Sequence, residues 1–90
     1  MDETAFRQRL QRDGYGEPEL FEREANLRND MHTHEFSACA LVIEGEVSVV
    51  TETGRTTCRA GDTFELAGGI PHREEYGPHG ARFLLGRRTG

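Results

Sequence analysis

His32-Thr33-His34-Glu35-Phe36-Ser37-Ala38-Cys39-Ala40-Leu41-Val42-Ile43-Glu44-Gly45 sets two histidines, one residue apart, at the head of the most apolar run in the chain. Successive side chains of an extended backbone point to opposite faces, so His32 and His34 share one, with Cα atoms roughly 6.5 Å apart. Across that span two imidazoles can converge on one ion, because metal–nitrogen bonds are about 2.0–2.1 Å long. A second block, Gly61-Asp62-Thr63-Phe64-Glu65-Leu66-Ala67-Gly68-Gly69-Ile70-Pro71-His72, brings a third histidine after a glycine-rich turn. The first block reads as a long buried strand and the second as a short strand, a turn and a further strand.

Working outward, Phe36 to Ile43 is the central strand. Glu44-Gly45-Glu46 followed by Val47-Ser48-Val49-Val50-Thr51 reads as a hairpin. Thr53-Gly54-Arg55 turns the chain, Thr56 to Arg59 returns as a strand, and Thr63 to Leu66 is short. Residues 72 to 76 and 81 to 86 are expected as the last strands, separated by Gly77-Pro78-His79-Gly80. Upstream, the mixed pattern of Glu19 to Leu27 suits an edge strand, and Asn29-Asp30 bends the chain into His32. Phe6 and Leu10, four apart, predict a short helix over 3–13, capped by Asp2 or Thr4 and ended by Gly14. Short strands at close spacing with glycine turns predict an antiparallel barrel or double-sheet roll.

Composition narrows the function. Ninety residues make one small domain, 1–90, with helix and connector over 1–16 and barrel over 19–88. A net charge of −5 argues against nucleic acid and against anionic membranes as partners. All eleven basic residues are arginine, which excludes Schiff-base or lysine general-base chemistry. No apolar run approaches the roughly 20 residues that cross a bilayer. The start, Met1-Asp2-Glu3-Thr4, is acidic where a secretory signal is basic and then apolar, so a cytoplasmic protein is expected. Cys39 and Cys58 are too few for a disulfide framework and read as small buried hydrophobes. No nucleophile elbow or phosphate-binding glycine loop is present.

Together the two histidine blocks resemble the signature motifs of the cupin family, G(X)5HXH(X)3-4E(X)6G and G(X)5PXG(X)2H(X)3N. His32, His34 and Gly45 match the first, with Asn26 at the opening glycine and Ala38 or Cys39 where the acidic ligand belongs. Gly61, Gly69 and His72 match the second, with Ala67 at its proline and Tyr76 at its final asparagine. The resemblance covers about residues 20 to 88 and implies an all-β, jelly-roll β-barrel (double-stranded β-helix) of RmlC-like, bacterial type with a short N-terminal helix.

The resemblance, with the donor chemistry, makes His32, His34 and His72 the expected ligands of a divalent transition metal. Iron, zinc, nickel and manganese are the candidates, and cobalt and copper also suit imidazole. Glu74 follows His72 by two on the same strand face and is read as an acid beside the metal before it is read as a ligand. Tyr76, on that face again, and Phe36 are expected in the substrate pocket. Cys39 needs a bulge to turn inward and is a minor candidate. His79, between Pro78 and Gly80, reads as a free surface residue.

Two functions follow from the resemblance: a dioxygenase- or isomerase-type enzyme acting on a small organic substrate, or a non-catalytic small-molecule binding or sensing module. Exposed edge strands predict a homodimer.

Overall fold

The computed structural model describes residues 1–89 of the chain. Helix α1 (Glu3–Arg12) is followed by β1 (Glu19–Arg23), β2 (Phe36–Thr51), β3 (Gly54–Arg59), β4 (Thr63–Leu66) and β5 (His72–Thr89). The strands are antiparallel in the order β1-β5-β2-β3, with β4 paired to β2 off that path. Among the described residues, no helix is long and apolar enough to cross a membrane.

The spine is the pairing of β2 with β5, which runs from Phe36 opposite Thr89 to Thr51 opposite His72. The front half of β2 pairs with the back half of β5 and, on its other edge, with β4; β1 extends this half-sheet beyond β5. The back half of β2 pairs with His72–Tyr76 and with β3. Two half-sheets therefore share one bent pair of strands, which is how a roll closes.

The bend corrects two expectations. Glu44-Gly45-Glu46 is not a hairpin: β2 runs straight through it as one strand of 16 residues. The register slips between Val42 and Glu44 and again between Gly45 and Val47, so this is a pair of bulges. Gly45 has φ 78°, and a Cβ there would fall on the Gly80 carbonyl and 2.9 Å from Ala81 Cα. Likewise the two expected last strands are one, β5; the register jumps from Ala81 to Tyr76, so Gly77-Pro78-His79-Gly80 bulges with no partner on β2.

The bulges reverse which residues face inward. Ala40 and Val42 of β2 enter the core between the half-sheets, and beyond the bulge so do Val47 and Val49; on β5, Tyr76 precedes its bulge and Ala81 and Phe83 follow it. Regular alternation has a period of two and cannot make an even-to-odd change, so the change arises in the irregular stretch between Val42 and Val47. The outward set Cys39, Leu41 and Leu84 packs under Phe6, Leu10 and Tyr15.

Helix α1 is where its periodicity predicts, ending one residue early at the cap Asp13. Asp2 Oδ1 accepts the Ala5 N–H at 2.8 Å, Glu3 sits in the positive first turn, and Phe6 and Leu10 are the buried face. β1 is shorter than expected, stopping at Arg23 instead of Leu27. The chain turns at Asn26, whose φ of 60° makes it the one non-glycine residue in the left-handed region among the described residues. Asparagine is among the few side chains that tolerate this region, which accounts physically for its standing where the resembled motif has glycine.

Candidate metal centre

The local structure aligns the histidines before any ion is considered. His32 and His72 form an isolated antiparallel bridge in which each N–H donates to the other's carbonyl, at 2.8 and 2.9 Å. Residues so paired lie directly opposite with side chains on one face. The segment holding His32 and His34 is thus not part of β2, which starts at Phe36; the bridge and the alternation along 32–34 do the aligning.

The turn before His72 is stitched to the strand after His34. Gly69 N–H donates to the His34 carbonyl at 2.8 Å and Gly68 N–H to Ser37 Oγ at 3.1 Å. Gly68 packs against the Glu35 backbone, with room for little more than its hydrogen, since a Cβ would stand 3.2 Å from the Glu35 carbonyl oxygen. The two sequence blocks are therefore tied together at the residues that bear the imidazoles.

Ring centroids lie 4.8 Å apart for His32–His34, 4.4 Å for His32–His72 and 5.1 Å for His34–His72. One ligand-capable atom from each of His32, His34, His72 and Glu74 lies within 4.8 Å of all the others, a group able to hold a metal ion. Opposite ligands of a six-coordinate ion at about 2.0–2.1 Å stand about 4 Å apart, so closure asks for side-chain shifts of under about an ångström.

Tautomers are set by the backbone. His72 Nδ1 is 2.9 Å from the Ile70 carbonyl and His32 Nδ1 is 2.6 Å from that of Asp30. A carbonyl only accepts, so both Nδ1 atoms carry the proton and both Nε2 lone pairs are left toward the group. His72 is 1% exposed, and its Nε2 is buried without a hydrogen-bond partner. Glu74 Oε1 stands 3.3 Å from it, but the two are not aligned as a hydrogen bond. Burial first, then the neighbouring His32 and His72, holds the His34 imidazole below its ordinary pKa, which keeps it neutral and able to donate a lone pair.

Glu74 is held by a residue that sequence reading treated only as a bend. Asn29 Nδ2 donates to Glu74 Oε2 at 2.7 Å, and Asn29 Oδ1 accepts the Glu74 N–H at 2.8 Å. Glu74 Oε2 also lies 3.7 Å from His32 Nε2. The only local signal at Asn29 is its turn propensity; the pairing spans 45 residues and leaves no trace in spacing.

These groups line a pocket of about 180 Å³ whose walls include Phe36, Ala38 and Tyr76. Ala38 thus faces the pocket at the position where the resembled motif has its acid. Phe36 stacks on His34 with centroids 4.7 Å apart, and Tyr76 stacks on Phe83 at 6.2 Å. Burial pushes the Tyr76 phenol above its ordinary pKa. Cys39 is corrected: it is 0% exposed, lies on the opposite face of β2 beneath α1, and does not line the pocket. The bulge that would turn it inward comes later in the strand, after Val42. His79 is exposed on the β5 bulge, apart from the site.

Solved structures match this roll closely. A cupin-2 domain protein of Shewanella frigidimarina superposes with a TM-score of 0.65 at 17% identity, over 79% of this chain and 67% of that one. The chain has the cupin fold. An RmlC-like cupin from the same organism gives 0.66 at 21% identity over 82% and 68%, and the Clostridium difficile EutQ protein gives 0.73 at 15% over 89% and 61%. This cupin barrel thus spans about two thirds of the length of each of these proteins. No family model and no curated protein matches the sequence.

Proposed function

We propose that this cupin-fold chain holds one divalent transition metal ion through His32, His34, His72 and Glu74 and binds a small molecule beside it. The observation that carries the reading is Nε2 of His72: it is buried, it has no hydrogen-bond partner, and its lone pair is aimed at three other donors. An unpartnered buried nitrogen costs about 1–3 kcal/mol, and an ion ligated there removes that cost. The donor set, three neutral imidazoles and one carboxylate, suits zinc, iron, nickel or manganese.

Glu74 supplies, from β5, the negative charge that Ala38 on β2 does not. It offsets part of a dication's charge, and Asn29 fixes its orientation. When bound, the ion supplies a Lewis-acidic centre able to polarise a ligand oxygen. The chain's own residues fix the imidazole tautomers, exclude water with Phe36 and Phe83, and keep the ligand next to the group.

The activity this supports is that of a dioxygenase or isomerase on a small organic substrate. One observation favours the non-catalytic binding or sensing module instead. Among the described residues lining the pocket, Glu74 is the sole carboxylate, and Asn29, His72 and His32 surround it, which leaves no second carboxyl group to move a substrate proton. β1, an edge strand that exposes Leu20, is the surface proposed for a homodimer.

Zinc titration against a chelator, with metal content measured on tag-free protein, tests the metal reading. One ion per chain is expected, and His72→Ala should weaken binding beyond the roughly 10–100-fold typical of losing an outer partner. Substoichiometric zinc, or affinity unchanged by His72→Ala, overturns it. Oxygen uptake by the iron-loaded protein then separates enzyme from binding module.

A further inference from the structure

The protein is acidic, with a net charge of −5, yet its pocket is not. Two arginines, Arg23 and Arg87, line it against the single carboxylate of Glu74. Both guanidiniums lie over pocket aromatics. Arg87 Cζ is 5.0 Å from the Phe36 centroid and 5.7 Å from that of Phe21, and Arg23 Cζ is 5.2 Å from Phe21 and 5.9 Å from Phe83.

A guanidinium held by cation–π attraction over an aromatic ring keeps its edge donors for other acceptors. Those donors are barely used. Arg23 donates to the Glu22 carbonyl, reaches the Tyr76 hydroxyl with a second donor, and makes no ion pair among the described residues. Arg87 has one distant exposed partner, Glu19 at 3.9 Å. Such a pair in water contributes little and yields readily to a better acceptor.

The ring that carries Arg87, Phe36, stacks on His34, so a single aromatic side chain separates this cation from the histidine group. Size adds a bound. A pocket of about 180 Å³ has the bulk of about six water molecules at ~30 Å³ each, room for the body of a small organic molecule.

We infer that the pocket takes a small organic carboxylate, with its apolar body against Phe21, Phe36 and Phe83 and its carboxylate on Arg23 and Arg87. This rests on the proposed ligand-binding role of the pocket but not on the metal. Two guanidiniums against one carboxylate leave it cationic with or without an ion, and apolar walls strengthen that field. The planar donors match a carboxylate's two oxygens, which a neutral amide of the same shape cannot use equally.

The test is protein NMR titration, metal-free and zinc-loaded, with benzoate and 2-methylpropanoate against benzamide and 2-methylpropanamide. The carboxylates are expected to bind at least ten times more tightly than their amides and to shift the Arg23 and Arg87 side-chain N–H resonances. Arg23→Gln with Arg87→Gln should cost the carboxylates at least tenfold and change amide binding by less than about threefold. Equal binding of acid and amide, or carboxylate affinity unmoved in the double variant, overturns the inference. Failure of zinc to bind while the acids still win over the amides overturns the metal reading and supports this one.

Discussion

Glu74 reaches back along β5 to His72, placing Oε1 3.3 Å from the buried Nε2 while its other oxygen is held by Asn29. A carboxylate so placed stabilises a cation that shares its neighbours and has no other cation in contact. Glu74→Gln keeps the shape and removes the charge, so zinc affinity in a chelator competition is expected to fall about 10–100-fold. Unchanged affinity would mean that the carboxylate is not turned toward the ion.

Asn29 acts on the same group at one remove. Asn29→Ala deletes its two side-chain hydrogen bonds to Glu74, at 2.7 and 2.8 Å, on an exposed segment, and keeps the backbone one. The expected cost to stability is about 1 kcal/mol, with zinc affinity weakened by about tenfold. Thermal melts and the same competition assay check the two effects separately, and a loss of stability alone would assign Asn29 to the fold.

The bend in the spine yields a matched pair of glycine substitutions. Gly45 and Gly69 both have positive φ, 78° and 82°, so alanine strains each backbone by about 1–3 kcal/mol. Only at Gly45 does the new Cβ collide, with the backbone of Gly80 and Ala81; at Gly69 nothing lies within 4 Å. Gly45→Ala is expected to lower the melting temperature well beyond Gly69→Ala, with each kcal/mol worth about 4–8 °C in a domain of this size. Equal shifts would contradict the close crossing of β2 and β5.

Burial pushes both thiols, Cys39 and Cys58, above the ordinary pKa of 9.0. Each is therefore neutral at pH 8 in the folded chain and shielded from reagent. A thiol whose folded pKa is raised contributes stability that is fully present below the unfolded value and is lost as pH climbs through the folded one. Reaction with a disulfide reagent at pH 8 is expected to be slow in the native protein and fast in denaturant, and unfolding free energy is expected to decline above about pH 9. Rapid native labelling of either cysteine would contradict its placement.

The histidine pattern was legible because it is local: 32 and 34 are two apart, and 72 follows a glycine turn, so a period-two reading places each on a face. The helix was legible for the same reason, from Phe6 and Leu10 at a four-residue spacing. The bend was not. Glu44-Gly45-Glu46 has the composition of a turn, and only the Gly80 carbonyl packed against Gly45, 35 positions away in the chain, makes it a bulge instead. Since the bulge reverses parity, the inward residues of the second half of β2 could not be fixed from the first half. Asn29, Arg23 and Arg87 stayed hidden because each meets the pocket through tertiary packing, and an arginine over an aromatic ring has no signature in spacing.

X-ray absorption at the zinc edge of the stoichiometrically loaded protein bears most directly on whether these four side chains meet at one ion. The expected spectrum shows three imidazoles, by their multiple-scattering pattern, with nitrogen and oxygen at about 2.0–2.1 Å and one imidazole lost in His72→Ala. A shell of oxygen alone, or one with fewer than two imidazoles that His72→Ala leaves unaltered, would contradict it.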